Sequence, residues 1–411
     1  MCLTQRAEIF QAGFAPATPT GMFHGTAQMT GGPLPKCLKG TIMEIKAAIV
    51  KEKSGRFSVE TVTLSDPRPD EVLVRIVGSG VCHTDLVVRD QYVPIPLPIV
   101  LGHEGAGVVE SVGRDVTRFR KGDRVVLSYH SCGHCPSCEE GAPAYCDHLM
   151  ANNFSGKRVD GSPSITLAGK EISANFFQQS SFATHALATS RNVVKVPDSV
   201  SLEDLPLYGP FGCGIQTGAG AVLNTLNPRA GTSIVVFGAG SVGLSAVMAA
   251  RLAGCTTIVA VDLNQARLDL ALTLGATHVV NGKADDPVDF VRSITGGRGA
   301  DYSLETTAVP RVLRQSVECL HARGVCGSIG LPPAGTEVTL DMLSILFGRT
   351  LRGIIEGDSV PTIFINRLIA LHQQGRFPVD RIMTHYRFDE INKAVEETEK
   401  GHAIKAVLHM E

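Results

Sequence analysis

Two textures of apolar and polar positions divide the chain. From Met43 onward, short apolar runs are broken by Gly, Pro or charge: MEIKAAIV, EVLVRIVGSGV, EGAGVVESVG and GDRVVLSY. Such runs predict the short strands of an irregular β-rich domain. From about residue 215 the rhythm changes. SIVVFGAG is followed by the helical apolar stretch VGLSAVMAARLAG and then by TTIVAVD, a strand–helix–strand unit of a parallel sheet. ATHVV, YSLETT and GVCGSIG predict further strands, and the chain closes on the strand-like AIKAVLHM.

The predicted class is α/β, a β-rich domain joined to a doubly wound parallel sheet. Residues 43–214 and 355–411 are assigned to the first and 215–354 to the second. Residues 1–42 show no sustained period. They are expected to be a disordered extension, or to precede a true start at Met43, and no chemistry is assigned to Cys2 or Cys37.

Composition narrows the picture. A chain of 411 residues suggests about two domains. No apolar run approaches the roughly 20 residues that a membrane helix needs. A formal net charge of −2 provides no attraction for nucleic acid or an anionic membrane. Eleven cysteines, an odd number, fit a reducing compartment, and the cytoplasm is the expected location.

Four of those cysteines, Cys132, Cys135, Cys138 and Cys146, crowd into SCGHCPSCEEGAPAYC. Four thiolates at this spacing suit the tetrahedral, sulfur-preferring geometry of a closed structural zinc site. Disulfides fit poorly with a reducing compartment. An iron–sulfur cluster also takes four thiolates, but the long last gap and the absence of a Cys-Pro ending favour zinc.

Gly238-Ala-Gly240-Ser241-Val242-Gly243 follows a strand-like run and opens a helix, as in dinucleotide-binding turns. The first glycine permits the tight turn, the second lets backbone approach a pyrophosphate, and the third allows close helix–strand packing. The helix start adds free N–H groups. Asp262 ends the next strand 19 residues after Gly243, where a carboxylate accepts from a ribose hydroxyl and repels a 2′-phosphate. NAD is therefore expected over NADP, with Arg267 over the adenosine ribose.

Cys82 in GVCHTD, His103 in GHEGAG and Cys213 in GPFGCG each sit in a glycine-flanked turn. Two thiolates and an imidazole leave one zinc position open, the pattern of a catalytic site. Spacing alone does not bring these three together, and a lone buried cysteine is ordinarily a small hydrophobe.

From Met43 to Glu411 the chain resembles the zinc-dependent medium-chain alcohol dehydrogenases. The resemblance rests on GVCHTD, LGHEGAGVVESVG, GDRVV, the four-cysteine loop, GCGIQTGAGA and FGAGSVGL, in the family's order. VCHTDLVVRDQYVPIPLPIVLGHEG, ANNFSG with DGS, and GIIEGDSVP look most like its aryl (benzyl) alcohol dehydrogenases and their geraniol-oxidising relatives. The resemblance implies a GroES-like catalytic domain, a Rossmann domain, NAD, and two zinc ions per chain. It implies that Cys82, His103 and Cys213 hold the catalytic ion, with Asp85 behind His103, Glu104 beside the metal and Thr84 against the reacting oxygen. His83 and Lys405 match positions that hold the cofactor pyrophosphate, where many relatives carry arginine; looser NAD binding is expected.

The implied reaction is hydride transfer between a benzyl-type primary alcohol and NAD, giving the aldehyde and NADH. Geraniol, cinnamyl or general alcohols, and glutathione-dependent formaldehyde oxidation, are alternatives within the fold. A nucleotide-binding protein without catalysis is the alternative outside it. Val87 stands where many relatives end a proton relay with histidine, so the proton is expected to leave to water. Val87, Tyr92, Val93, Tyr129 and Phe154 are candidates for an apolar substrate slot. A homodimer or homotetramer is expected by resemblance, with a small-molecule substrate as the other partner.

Overall fold

The computed structural model describes residues 43–410. The expectations for residues 1–42, including Cys2 and Cys37, lie outside the described residues.

The β-rich part forms two sheets. One has the strand order Ile99–Val100, Met43–Val50, Ser58–Leu64, Ile165–Leu167, Lys170–Ile172. The other is built on Glu71–Gly80, which pairs with Gly105–Val112, His185–Thr189 and Lys405–His409. Glu71–Gly80 is buried along nearly its whole length because neighbours cover both of its faces and edges. A buried ion pair ties this part down: Arg158 donates from Nε to Glu71 Oε1 at 2.6 Å and from Nη2 to Ser65 Oγ at 2.7 Å.

The second part is a six-stranded sheet whose paired strands all run parallel. Its order is His278–Asn281, Thr257–Asp262, Ser233–Phe237, Ala300–Glu305, Leu320–Ser328, Thr350–Gly353. Taken in sequence order this is 3-2-1-4-5-6, the Rossmann arrangement. The order reverses beside Ser233–Phe237, so the crevice outside the carboxyl ends of that strand and Ala300–Glu305 is where such sheets bind ligands. The runs TTIVAVD, ATHVV, YSLETT and GVCGSIG all contribute strands, as their β-branched content predicts.

The two parts are joined by one continuous core. Ala106 and Val126 from the β-rich sheet, Phe211 and Ile215 from the connecting helices, and Ile234 and Leu304 from the parallel sheet share a single buried cluster. The connecting helix Gly214–Gly220 lies directly against the helix Ser241–Leu252. A Cβ on Gly218 would sit 1.9 Å from the Val242 carbonyl oxygen, so only glycine allows that approach. No helix among the described residues is long and apolar enough to cross a membrane.

The last two strands carry a histidine pair. On Met383–Arg387 and Lys405–His409, His385 Nδ1 lies 2.7 Å from His409 Nε2. Burial pushes both imidazoles below the ordinary histidine range, and repulsion from His385 adds to the effect at His409. The unfolded chain therefore binds protons more readily than the fold. Their stabilising contribution is complete above about pH 6.5 and is lost as the pH falls. His385→Asn is expected to flatten the drop in urea midpoint between about pH 7 and pH 5. An unchanged slope would remove the pair from the acid response.

Candidate active site

Cys82 caps the helix His83–Arg89, and the helix geometry returns Asp85 beneath it. Asp85 Oδ2 accepts from the Cys82 backbone N–H at 3.0 Å, and Oδ1 accepts from Gly102 N–H at 3.1 Å and His103 Nδ1 at 2.9 Å. One fully buried carboxylate thus fixes the Cys82 turn, the Gly102 turn and the His103 ring together. Gly102 sits at φ +91°, and a Cβ there would lie 2.4 Å from the Phe182 nitrogen, so the turn that delivers His103 needs glycine. Because Nδ1 donates to Asp85, His103 presents the Nε2 lone pair. That atom is buried and has no hydrogen-bond partner among the described residues. Phe177 stacks on the ring at 4.5 Å and 27°, and Phe176 meets its edge.

Cys213 arrives from the break between the turns of Leu205–Gly212 and the helix Gly214–Gly220. Ligand atoms of Cys82, His103, Glu104 and Cys213 all lie within 4.8 Å of one another. Residues 82, 103 and 213 thus meet at one point. The orphaned Nε2 among two thiols is a donor set that fits zinc, and a buried nitrogen without a partner is otherwise unfavourable. Electrostatics within the set is that of charged ligands: against the effect of burial, the charges of Asp85 and Cys82 hold the His103 imidazole well above its usual range, so a metal ion at Nε2 would take the place of a proton. The Cys213 hydrogen bond holds the Cys82 thiol well below the usual range against the effect of burial, while the same contact and burial push Cys213 up. Thr84 Oγ1 lies 3.7 Å from Cys82 Sγ, on the rim of the set.

Two carboxylates flank these ligands. Glu104 accepts from Gly214 N–H at 3.0 Å and from Lys405 Nζ at 2.8 and 2.9 Å. Glu356, to which the sequence reading gave no role, places Oε1 3.5 Å from Cys213 Sγ and takes a 3.1 Å hydrogen bond from Gln216 Nε2 at Oε2. Burial pushes its carboxyl up to about 7. Glu356 adopts φ +50° within the Gly353–Gly357 segment. The signal was present as an acid inside the apolar, glycine-flanked run GIIEGD.

The second cysteine set is equally compact. Cys132, Cys135, Cys138 and Cys146 offer sulfurs within 4.8 Å of one another. All four are free thiols, with Cys132–Cys138 at 4.0 Å and Cys135–Cys146 at 3.9 Å. Backbone N–H groups of Cys132 and Asp147 point at Cys146 and Cys135 sulfurs, as they do around thiolates. The set fits one tetrahedral ion.

At the parallel sheet, Gly238 takes φ +94°, and a Cβ on Gly243 would lie 1.8 Å from the Gly238 carbonyl oxygen. Gly240 faces open space, and it begins the helix Ser241–Leu252 without any side-chain cap, so Ser241 and Val242 start a helix whose first N–H groups are free for an anion. Asp262 accepts from Ala239 N–H at 2.6 Å and from Leu263 and Asn264 N–H at 2.7 and 2.8 Å, bracing the glycine turn at the strand end. The backbone and the open space at Gly240 fit a dinucleotide phosphate. Arg267, whose buried Nε finds no partner among the described residues, lines a cavity of about 350 Å³ with His83, Val87 and Tyr92.

Several expectations need correction. Lys405, expected at the cofactor pyrophosphate, is 2% exposed and its ammonium is held by Glu104 and the Val81 carbonyl, beside Gly214 and close to Ser241 of the glycine turn. The strand register explains this, since Val407 pairs with Gly80 and draws Lys405 beneath the Cys82 turn. Tyr129 is no pocket wall. Its ring is in the core and its phenol donates to the Ser359 carbonyl at 2.6 Å. Tyr92 is 63% exposed, and with Val87 it lines the His83–Arg267 cavity. Val93 packs partly buried against the core. Of the proposed pocket residues only Phe154 joins the aromatic group at His103, packing edge-on against Phe176 and Phe177 at 5.6 and 5.2 Å.

Known families match this architecture. The alcohol dehydrogenase GroES-like domain fits residues 68–198, and the zinc-binding dehydrogenase domain fits residues 241–372. The chain belongs to the zinc-type medium-chain alcohol dehydrogenases, and it is an alcohol dehydrogenase enzyme. It is 49% identical over 366 residues to geraniol dehydrogenase of Castellaniella defragrans, covering 88% of this chain and 97% of that one. The crystal structure of benzyl alcohol dehydrogenase from Acinetobacter calcoaceticus superposes with a TM-score of 0.86 at 44% identity, over 90% of this chain and all of that one. An alcohol dehydrogenase zinc-binding domain protein from Burkholderia ambifaria gives 0.88 at 52%, with the same coverage.

Proposed function

We infer that this enzyme interconverts primary benzyl-type alcohols and their aldehydes with NAD as hydride carrier. The single observation that carries the reading is the meeting of Cys82, His103 and Cys213 beneath an aromatic wall. Cys82, His103 and Cys213 would hold a catalytic zinc, and the four-cysteine loop a structural one. When bound, zinc supplies a Lewis acid that lowers the pKa of an alcohol hydroxyl, and NAD accepts the hydride.

The protein's own groups do the rest. Asp85 keeps His103 in the tautomer that leaves Nε2 free, as carboxylates behind ligating histidines do. The Thr84 hydroxyl, beside Cys82, takes the alcohol proton at Oγ1 and passes it on; Val87 next to it cannot titrate, so water receives it. Phe176 and Phe177, both in the core, pack on the His103 ring and keep water from it, and the half-buried Phe154 extends these apolar surroundings, which favour an apolar substrate. Asp262 at the end of its strand supports NAD over NADP by charge.

A second reading, oxidation of geraniol, is favoured by the name of the 49% identical relative. Benzyl and geranyl alcohols share a primary carbinol on an sp² carbon, so their products are conjugated aldehydes of similar shape at the reacting end. The glutathione-dependent reaction would need a free cation near the substrate, and Lys405 is already paired with Glu104.

A steady-state panel of benzyl, cinnamyl, geranyl and short aliphatic alcohols with NAD and NADP tests the reading. Benzyl alcohol with NAD is expected to give the highest kcat/KM. Higher values for geraniol would move the assignment to the second reading, and a preference for ethanol would sink both.

A further inference from the structure

The four-cysteine loop carries two histidines that catalysis and the four sulfurs leave without a role. Each follows a cysteine by two residues, in Cys132-Gly-His134 and Cys146-Asp-His148. The fold brings them together, with ring centroids 6.3 Å apart. Cys132, His134 and His148 each offer one ligand atom within 4.8 Å of the others, a second donor set sharing Cys132 with the first. His134 is also oriented. Its Nδ1–H donates to the Cys132 carbonyl at 3.0 Å, leaving Nε2 as the nitrogen with the lone pair.

Burial gives the loop a direction. Cys135 and Cys146 are buried, Cys132 and Cys138 half-buried, and His134 and His148 exposed. A cation arriving from water meets the two imidazoles before any buried sulfur. Glu139, Glu140 and Asp147, all exposed in the same loop, outnumber the guanidinium packed on it, that of Arg191 at Gly133.

We propose that Cys132, His134 and His148 form an outer site that captures a zinc ion and hands it to the four sulfurs. Imidazole and thiolate both suit zinc, and Cys132 stays bonded through the transfer. The ion exchanges two imidazoles and one remaining water for the sulfurs of Cys135, Cys138 and Cys146. Each thiol gives its proton to water as it binds, and no electron moves. The exchange spares the ion a full loss of its water shell before the buried sulfurs are reached.

The proposal rests on the four-thiolate reading of the loop, and cobalt separates the two. Both cobalt measurements use full-length protein carrying Cys82→Ser, so that thiolate-to-cobalt absorption in the near ultraviolet reports on the loop; it is stripped of metal with dipicolinate and mixed with Co²⁺ in a stopped-flow cell. The same measurement is made on the double variant His134→Gln, His148→Gln, whose changes are at exposed positions. The variant is expected to fill the loop about ten-fold more slowly, to the same final intensity and with the same thermal melt. Equal filling rates would overturn the outer site while leaving the four-thiolate reading intact. A third zinc per chain that survives gel filtration of the wild-type enzyme would overturn it too, in favour of a permanent site. Cys82→Ser protein with both histidines in place but without the absorption would instead sink the four-thiolate reading.

Discussion

Replacing Cys82 by serine is expected to leave a folded protein that has lost one of its zinc ions and its turnover. Serine is a preferred helix cap, so the start of His83–Arg89 keeps its geometry, and Asp85 keeps its bond to the residue 82 N–H. What disappears is one of two soft ligands in a three-ligand set, and a hydroxyl does not replace a thiolate toward zinc at neutral pH. Loss of a group that merely orients a ligand costs about 10–100-fold, so loss of the ligand should exceed about 100-fold in kcat/KM. Metal analysis should fall from two ions per chain to one, with the four-cysteine loop still filled. A fully active Cys82→Ser enzyme would remove the catalytic assignment of all three residues.

The second large effect concerns Lys405. Its ammonium is buried against the Glu104 carboxylate, which also accepts from Gly214 N–H. Lys405→Met would leave Glu104 charged and unpaired in the interior, a change that costs about 3–5 kcal/mol. Urea unfolding of the zinc-loaded enzyme should show it as a fall in midpoint at unchanged slope. Pairing the change with Glu104→Gln should restore most of the stability, because the uncompensated charge is then gone. If Lys405 served only the cofactor pyrophosphate, stability would hold and the KM for NAD alone would rise. The two readings therefore predict opposite readouts from one variant. Gly214 sits between them: a Cβ there would lie 3.2 Å from Glu104 Oε1, 3.4 Å from Lys405 Nζ and 3.6 Å from Ser241 Oγ. The ion pair thus lies next to the glycine-rich turn, and its loss would be felt by both binding regions.

The contrast between Lys405 and Cys82 shows what a linear reading resolves. Cys82, His103 and Cys213 were legible because cysteine and histidine in glycine-flanked turns are chemically unusual, and the family's motif order joined them. The pairing of Lys405 with Glu104 was not legible because a lysine in a strand-like run is chemically ordinary; only the antiparallel register with Glu71–Gly80 buries it. Glu356 was missed for a related reason. Its segment is local, but the residues that make it matter, Cys213 and Gln216, are about 140 positions away. Tyr129 and Tyr92 were both expected in the substrate slot, yet one lies in the core and the other is exposed, since aromatic residues mark apolar surroundings without saying whether those are core or cleft.

Local chemistry was enough to predict five of the six strands of the parallel sheet, all but Thr350–Gly353, and to point to the glycine turn with Asp262 and to the four-sulfur loop. In each, the residues that act together lie within a few turns of one another, so spacing alone constrains their geometry. The tertiary structure decided which distant side chains share a point in space: the buried Nε2 of His103 among two thiols, the carboxylates of Glu104 and Glu356 beside them, and the rings of Phe154, Phe176 and Phe177 packed at His103. Those groupings depend on strand register and on helices packed through Gly218, where contacts between remote segments set the energy and no local pattern records them.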